Sequence, residues 1–326
     1  MFRFSKSKKL KQYKTMKKQS YDLMGDIHGQ APELERLLEK LSYKKFDGVW
    51  KHTERKMIFL GDFVDRGDYQ KEVINIVRPM IEQGHALSVM GNHEYNAIAY
   101  YTKDKDGNYL RSHNNKHLKQ HQKFLAAYEN DSDSWNDVIN WFKTLPLWLD
   151  LDGLRVVHAC WDFNLISKLN SSKLTDDLLQ QSAITGTWQN DAIETVLKGK
   201  EIPLPDGQSF PDKDNNIRHH IRIRWWDKLA KTYKEYFMGP DDALTHIPDD
   251  PVIGDHLIDY AHDDKPVFLG HYWMKGEIKP LADNIACLDY SVADAKDPNA
   301  RLVAYRWDGE QKIDKNKFMF VERKQS

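Results

Sequence analysis

The sequence predicts an α/β fold, and three observations predict it. Strand-like apolar runs occur at Tyr21-Asp22-Leu23-Met24, Met57-Ile58-Phe59-Leu60 and Leu87-Ser88-Val89-Met90. Each is followed at once by a glycine-flanked polar run: Gly25-Asp26-Ile27-His28-Gly29, then Gly61-Asp62-Phe63-Val64-Asp65-Arg66-Gly67, then Gly91-Asn92-His93-Glu94. Helix-like segments follow the first two. Polar clusters at strand C-termini are where an open α/β sheet builds its site.

The elements can be justified in order. Residues 1–19 are rich in lysine and read as a mobile tail rather than a membrane or nucleic-acid anchor. They also lack the apolar stretch of a secretory signal. Residues 20–326 read as one domain. Pro32 sits near the start of the first helix, whose core face is Leu34, Leu37, Leu38 and Leu41. Residues 42–56 suggest a loop or hairpin. A second helix turns Val73, Ile74, Val77, Met80 and Ile81 inward and ends at Gly84.

From about 95 to 150 the pattern is that of a polar helical insert. His113, His117 and His121 share one helical face there. That face reads as solvated, because no carboxylate or cysteine is fixed beside it. Trp135, Trp141, Phe142, Leu145, Leu147 and Trp148 read as packing. Leu154-Arg155-Val156-Val157 is a strand ending at His158, and Cys160 reads as a small buried thiol. Residues from about 161 to 265 read as a cap and loop insert, helical at first and then rich in Pro, Gly, Asp and Asn. Pro266-Val267-Phe268-Leu269-Gly270 is a strand ending at His271. Residues 285–290 and 301–307 read as two more strands.

Composition excludes several classes. Among 326 residues the net charge is −1, the pI is about 6.9 and the mean hydropathy is −0.72. Nothing marks a dedicated nucleic-acid binder. No apolar run approaches the ~18 residues of a membrane span. The two cysteines, Cys160 and Cys287, imply no disulfide framework, so the cytoplasm is the expected compartment.

The strand ends together supply Asp26, His28, Asp62, Asn92, His158 and His271. Oxygen and imidazole donors of this kind suit Mn, Fe or Zn. Six are too many for one closed structural zinc site. They suit two metals about 3.5–4 Å apart that share a carboxylate, deprotonate a water and hold phosphate oxygens during in-line attack. His93 is placed to donate a proton to the leaving oxygen, Asp65 to orient it, and Arg66 to hold the phosphoryl group. In the run Arg218 to Trp226, strand alternation puts Arg222 and Arg224 on one face and Ile221 and Ile223 on the other. The arginines are either a solvated edge or a phosphate clamp. The Arg-Ile-Arg-Trp-Trp run, with its cations and aromatics, also suits a nucleotide.

The blocks GDIHG, GDFVDRG and GNHE closely resemble the three signatures of the phosphoprotein phosphatase family, in its bacterial type, within the calcineurin-like metallophosphoesterases. His158 in VVHA and His271 in FLGH match that family's two remaining ligand histidines. The resemblance runs from about residue 20 to 310, loosely over 95–150 and 161–265. It implies two packed mixed β-sheets flanked by helices, with two metals at one edge. One metal would be held by Asp26, His28 and Asp62, the other by Asp62, Asn92, His158 and His271, with Mn as first choice and Fe or Zn as alternatives. It also implies His93 as general acid paired with Asp65. Phosphate contacts would come from Arg66, Asn92 and either Arg222 or Arg224, and Asp289 of Cys287-Leu288-Asp289 would stand behind the ligands.

The Asp-Arg pair of GDFVDRG favours phosphomonoesters or phosphoanhydrides over diesters. The expected activity is hydrolysis of phosphomonoesters, first on phosphoproteins. The alternatives are dinucleoside polyphosphates, as in symmetrical diadenosine tetraphosphate hydrolases, or phosphorylated nucleic-acid ends. A non-catalytic phosphoprotein-binding scaffold is the reading from another class. Oligomeric state is not legible.

Overall fold

The computed structural model describes residues 19–211, 216–254 and 257–324, so the expected basic tail lies outside the described residues except for Gln19. Strand β1 (Ser20–Met24) leads through the first polar run into α1 (Ala31–Lys40), with Pro32 in its first turn and Leu34, Leu37 and Leu38 on its buried face. A hairpin of β2 (Lys44–Phe46) and β3 (Val49–Lys51) returns the chain to β4 (Arg55–Phe59), and the second polar run feeds α2 (Gln70–Glu82). Strand β5 (Ala86–Ser88) precedes the third run, and here too a helix follows, since α3 (Asn92–Tyr101) begins on Asn92 itself.

The segment that reads as polar is helical here, and its first helix α3 is buried from Asn92 to Tyr100. It packs under α5 (Ser132–Phe142), which follows α4 (Asn115–Ala127). Side chains of Asn114 and Asp131 cap α4 and α5 by accepting His117 N–H and Ser134 N–H. Strands β6 (Trp148–Leu151) and β7 (Leu154–Val157) come next. The second insert carries α6 (Phe163–Leu169), α7 (Asp176–Ser182) and α8 (Trp188–Lys198). Four short strands then form two ladders: β8 (Glu201–Pro203) pairs with β11 (His220–Arg222), and β9 (Phe210–Pro211) with β10 (Ile217–Arg218). After α9 (Tyr233–Tyr236) come β12 (Val267–Leu269), β13 (Ile285–Cys287), β14 (Asp289–Tyr290), β15 (Arg301–Trp307) and β16 (Phe318–Glu322).

Two mixed sheets result. In the larger, β1 pairs parallel with β4 and antiparallel with β15, β4 pairs parallel with β5, and β14 and β16 pair antiparallel with β15. The smaller has the order β13-β12-β7-β6, parallel except for β6 against β7. Alternation along the strands divides the core. Leu23, Ile58, Leu60, Val156, Phe268, Ala286, Val303 and Tyr305 fill the space between the sheets. Their neighbours Met24, Met57, Phe59, Val157, Val267, Leu269, Cys287 and Ala304 face the helices. Strands buried on both faces read as continuous apolar runs, which is why the sequence reveals them.

One expected strand divides. Residues 285–290 are not a single strand: Ile285–Cys287 pairs with β12 in the smaller sheet, and Asp289–Tyr290 pairs with β15 in the larger. The chain crosses between sheets at Leu288, whose N–H donates to Leu269 O at 2.7 Å. The crossing presses on Gly25, where an added Cβ would lie 2.1 Å from Leu288 O. Because backbone stands on both sides, Gly25→Ala should lower stability by about 1–3 kcal/mol. A urea-unfolding midpoint unchanged from the parent would contradict this crossing.

Candidate active site

The C-terminal ends of β1, β4, β5, β7 and β12 meet at one edge of the two sheets. Several of their residues take left-handed backbone conformations that side chains rarely adopt: His28 (φ 47°), Asp62 (53°), Asp65 (69°), Arg66 (65°) and His271 (71°). Such strain costs about 1–3 kcal/mol per residue and persists where the surroundings fix it. Here Glu94, the last residue of the third polar run and one with no role expected from sequence, does much of that fixing. Its carboxylate accepts Asp62 N–H (2.8 Å) and Gly91 N–H (3.0 Å) on one oxygen and Phe63 N–H (2.8 Å) on the other. The Gly91-x-x-Glu94 spacing at the start of a helix, an N-cap with Glu at the third helical position, was the available signal.

Asp62 lies between two donor groups. Its Oδ2 is 3.5 Å from His28 Nε2, and Asp26 Oδ2 is 4.0 Å from the same nitrogen. Its Oδ1 is 3.4 Å from His158 Nε2. Asn92 Oδ1 lies 3.2 Å from His158 Nε2 and 2.8 Å from His271 Nδ1. Donors at such separations can share an ion with bonds of about 2.0–2.2 Å. The imidazoles are aimed by backbone carbonyls: His28 Nδ1–H donates to Val64 O (3.0 Å) and His158 Nδ1–H to Leu60 O (2.6 Å), turning each Nε2 to the centre.

The residues fit metal ions. Asp26 Oδ1 and His28 Nε2 are buried with no hydrogen-bond partner. Asp26, Asp62, Asp65, Glu94 and Asp289 are all buried near one another. Burial, and then Asp289, pushes the Asp26 carboxyl well above its usual range. A cation would relieve that accumulation of buried acid groups. Burial, with Arg66 and His93 nearby, brings His28 down to about 3, leaving a neutral ring with a free lone pair. Burial opposes charge on His158, but Asp62 outweighs it and raises His158 to about 10, so an imidazolium takes the place of a cation. The carboxylate, carboxamide and imidazole donors suit Mn, Fe or Zn without choosing among them.

Beside these donors stands His93, whose Nδ1 is 2.5 Å from Asp65 Oδ2 and whose Nε2 faces Asp62 at 3.9 Å. Burial raises the Asp65 carboxyl, but His121 and His93 outweigh it and hold it at about 2. The Arg66 guanidinium stacks on Trp273, 3.9 Å from the ring centroid, a partner with no sign in the sequence. Asp289 supports this turn by accepting Trp273 N–H (2.8 Å) and Ser291 N–H (2.9 Å).

Other expectations change. Arg222 reaches the site: its Nη1 is 3.1 Å from His271 Nε2, and Glu201 holds its other nitrogen at 3.3 Å. Arg224 is exposed, because β11 ends at Arg222 and the chain turns onto Tyr236 O. Trp225 and Trp226 are buried, with Trp225 Nε1–H donating to Tyr272 OH at 3.1 Å, so they offer no stacking platform to a nucleotide. His113 and His117 sit outward, but His121 is buried against Asp65, contrary to the solvated-face reading. Its spacing to buried Phe124 and Tyr128 was the missed signal.

A strained cluster of carboxylate, carboxamide and imidazole donors at the strand ends of two packed mixed sheets is of the kind that can hold metal ions. The calcineurin-like phosphoesterase family model matches residues 21–272, and the chain belongs to that family. A bis(5'-nucleosyl)-tetraphosphatase PrpE (asymmetrical) of Bacillus subtilis (strain 168) is 43% identical over 217 residues, 65% of this chain and 83% of the relative. A protein of the same name from Oceanobacillus iheyensis is 29% identical over 170 residues, 51% of this chain and 66% of the relative. The chain therefore spans just under two thirds of that relative, and 30% of some others. A solved cold-active protein tyrosine phosphatase shares the fold at 17% identity and TM-score 0.50, over 90% of this chain and 78% of that one. Among the described residues no helix is long and apolar enough to cross a membrane.

The metal-free protein should release protons on loading. His158 keeps its proton up to about pH 10 in the fold but only to about 6.5 when unfolded. Its stabilising effect is therefore full below pH 6.5 and lost as pH rises toward 10. At pH 8, Mn²⁺ uptake should release about one proton from His158. Calorimetric titration in two buffers of different ionisation enthalpy would measure this, and uptake with no release would exclude His158 as a ligand.

Proposed function

We propose that this chain is a two-metal hydrolase of phosphate anhydrides and esters, with dinucleoside polyphosphates as its substrate class. The observation that carries the chemistry is the Asp65–His93 pair, 2.5 Å apart, at the rim of the donor cluster. The substrate class is supported by the 43% identical relative named as a tetraphosphatase. Asp26, His28 and Asp62 would hold one ion, and Asp62, Asn92, His158 and His271 the other. When bound, such ions supply Lewis-acid polarisation of phosphoryl oxygens and a more acidic water.

The chain's own residues do the rest. Asp65 holds His93 by Nδ1–H, so Nε2 is the atom that delivers a proton to the leaving oxygen. Arg66, kept in place by Trp273, and Arg222, set against His271, bind the non-bridging oxygens by charge-assisted hydrogen bonds. Asn92 adds a neutral polar contact. His93 also lies close enough to His28 and Asp62 to join them around an ion. Asp26 is assigned there instead because its Oδ1 lacks a partner, which frees His93 for proton transfer. A second reading, phosphomonoester hydrolysis on phosphoproteins, is favoured by the burial of Trp225 and Trp226, which removes one place for a base to stack.

A hydrolysis panel on Mn-loaded protein tests both. It holds diadenosine tetraphosphate, phosphoserine and phosphotyrosine peptides, and a 3′-phosphorylated oligonucleotide. The expected preference is diadenosine tetraphosphate, with ATP and AMP marking asymmetrical cleavage and two ADP marking symmetrical cleavage. Preference for a phosphopeptide would select the second reading. Loss of no function in His93→Asn would point to the scaffold.

His93→Asn should lower kcat by about 10²–10⁴-fold with metal content unchanged, whereas Asp26→Asn should lower metal content. Arg222→Ala should weaken inhibition by inorganic phosphate about tenfold, the size expected for a lost charged hydrogen bond. Arg224→Ala should not alter it.

A further inference from the structure

Helix α4 of the first insert sends one histidine into the interior. His121 is 1% exposed. Its Nδ1 lies 2.9 Å from Asp65 Oδ2, the same oxygen that His93 Nδ1 approaches at 2.5 Å. This close charged contact is not a well-formed hydrogen bond, and both His121 ring nitrogens are buried without a hydrogen-bond partner.

The surroundings fix this ring rather than leave it to fill space. Tyr100 meets it edge-on at 5.4 Å. Tyr100 in turn stacks on His113 at 3.7 Å, and His113 stacks on Tyr109 at 3.8 Å. His113 Nε2–H donates to Tyr100 O at 2.8 Å. The Asp65 backbone is held separately: Gln70 Oε1 accepts Asp65 N–H at 2.8 Å, and Gln70 Nε2–H donates to Asp65 O at 3.2 Å. Asp65 Oδ1 has no partner, so among the described residues the carboxylate is held in rotation by its hydrogen bond to His93 and its close contact with the His121 ring. A buried carboxylate with one free oxygen would otherwise turn, and an orienting group that turns no longer orients.

We propose that His121 is a positioning residue for the proton donor: it holds the Asp65 carboxylate against His93, and so ties the insert helix to proton delivery. This rests on the reading of His93 as the acid. The consequence is specific. Loss of a proton donor slows substrates with poor leaving groups and spares those whose leaving group needs no proton. A residue that only supported the fold would slow both alike.

The test compares His121→Leu, His121→Asn and His93→Asn on phenyl phosphate and 2,4-dinitrophenyl phosphate, all Mn-loaded. Asn is chosen because its amide nitrogen falls near the place of Nδ1. His121→Leu should lose about tenfold in kcat on phenyl phosphate, part of the ~10²–10⁴ that a general acid supplies, with KM within about twofold. The loss on dinitrophenyl phosphate should be clearly smaller, and His121→Asn should recover most of the phenyl phosphate rate. Equal losses on both substrates, or no loss, would overturn the role of His121. If His93→Asn itself shows no dependence on leaving group, it is the acid reading that fails.

A second measurement needs neither activity nor a variant that folds. Nitrogen-15 spectra of histidine-labelled, metal-free protein report which ring nitrogen carries the proton. A proton on Nδ1 of His121 supports the inference. A neutral ring protonated only on Nε2 has no donor to give Asp65 and overturns it, whatever the kinetics show.

Discussion

The Asp62 carboxylate faces two ways, and the site is arranged around that fact. One oxygen looks toward His28 and the other toward His158. The residue reaches this position only through a left-handed backbone conformation at the end of a strand buried on both faces. A buried carboxylate without counter-charge is costly, and near Asp26 and Asp289 the cost rises further. Imidazoles and the His93 N–H offset it, and a cation held by the same donors would do so more fully.

The strained turns are cross-linked rather than independent. Glu94, from the start of α3, bonds the backbone of Asp62 and Phe63 after β4 and of Gly91 after β5. His271 N–H reaches Asp26 Oδ2 at 3.0 Å, joining the end of β12 to the end of β1. Gly25 and Leu288 bring the two sheets together one residue before Asp26 and one before Asp289. Donors from five strand ends therefore depend on a few close backbone approaches, and a change at any of these would be felt by several donors at once.

Much of this was legible from sequence because of how the strands are buried. A strand covered on both faces must be apolar throughout, so a sudden glycine-flanked polar run at its end stands out, as at Asp26, Asp62 and Asn92. His158 and His271 were visible for the same reason. What was not legible depended on tertiary packing. Residues 285–290 have one continuous strand pattern, and nothing local says that Leu288 changes sheets. Arg222 and Arg224 alternate onto the same face only while the strand lasts, and β11 ends between them. His121 shares an inward helical spacing with Phe124 and Tyr128, but that its ring meets Asp65 comes only from packing. Trp273 gave no sequence sign because its partner Arg66 is distant along the chain.

That stacking of Arg66 on Trp273 has a consequence for recognition. A free arginine side chain has about 2 kcal/mol of rotamer entropy to lose on being fixed. The indole face already confines the Arg66 guanidinium, and Asp289 confines the indole through the Trp273 backbone. Under the proposed function, a phosphate arriving here would meet a cation whose freedom was given up when the chain folded. Less of the attraction is then consumed in ordering the protein, and more is left to discriminate between a correctly and a wrongly placed phosphoryl group.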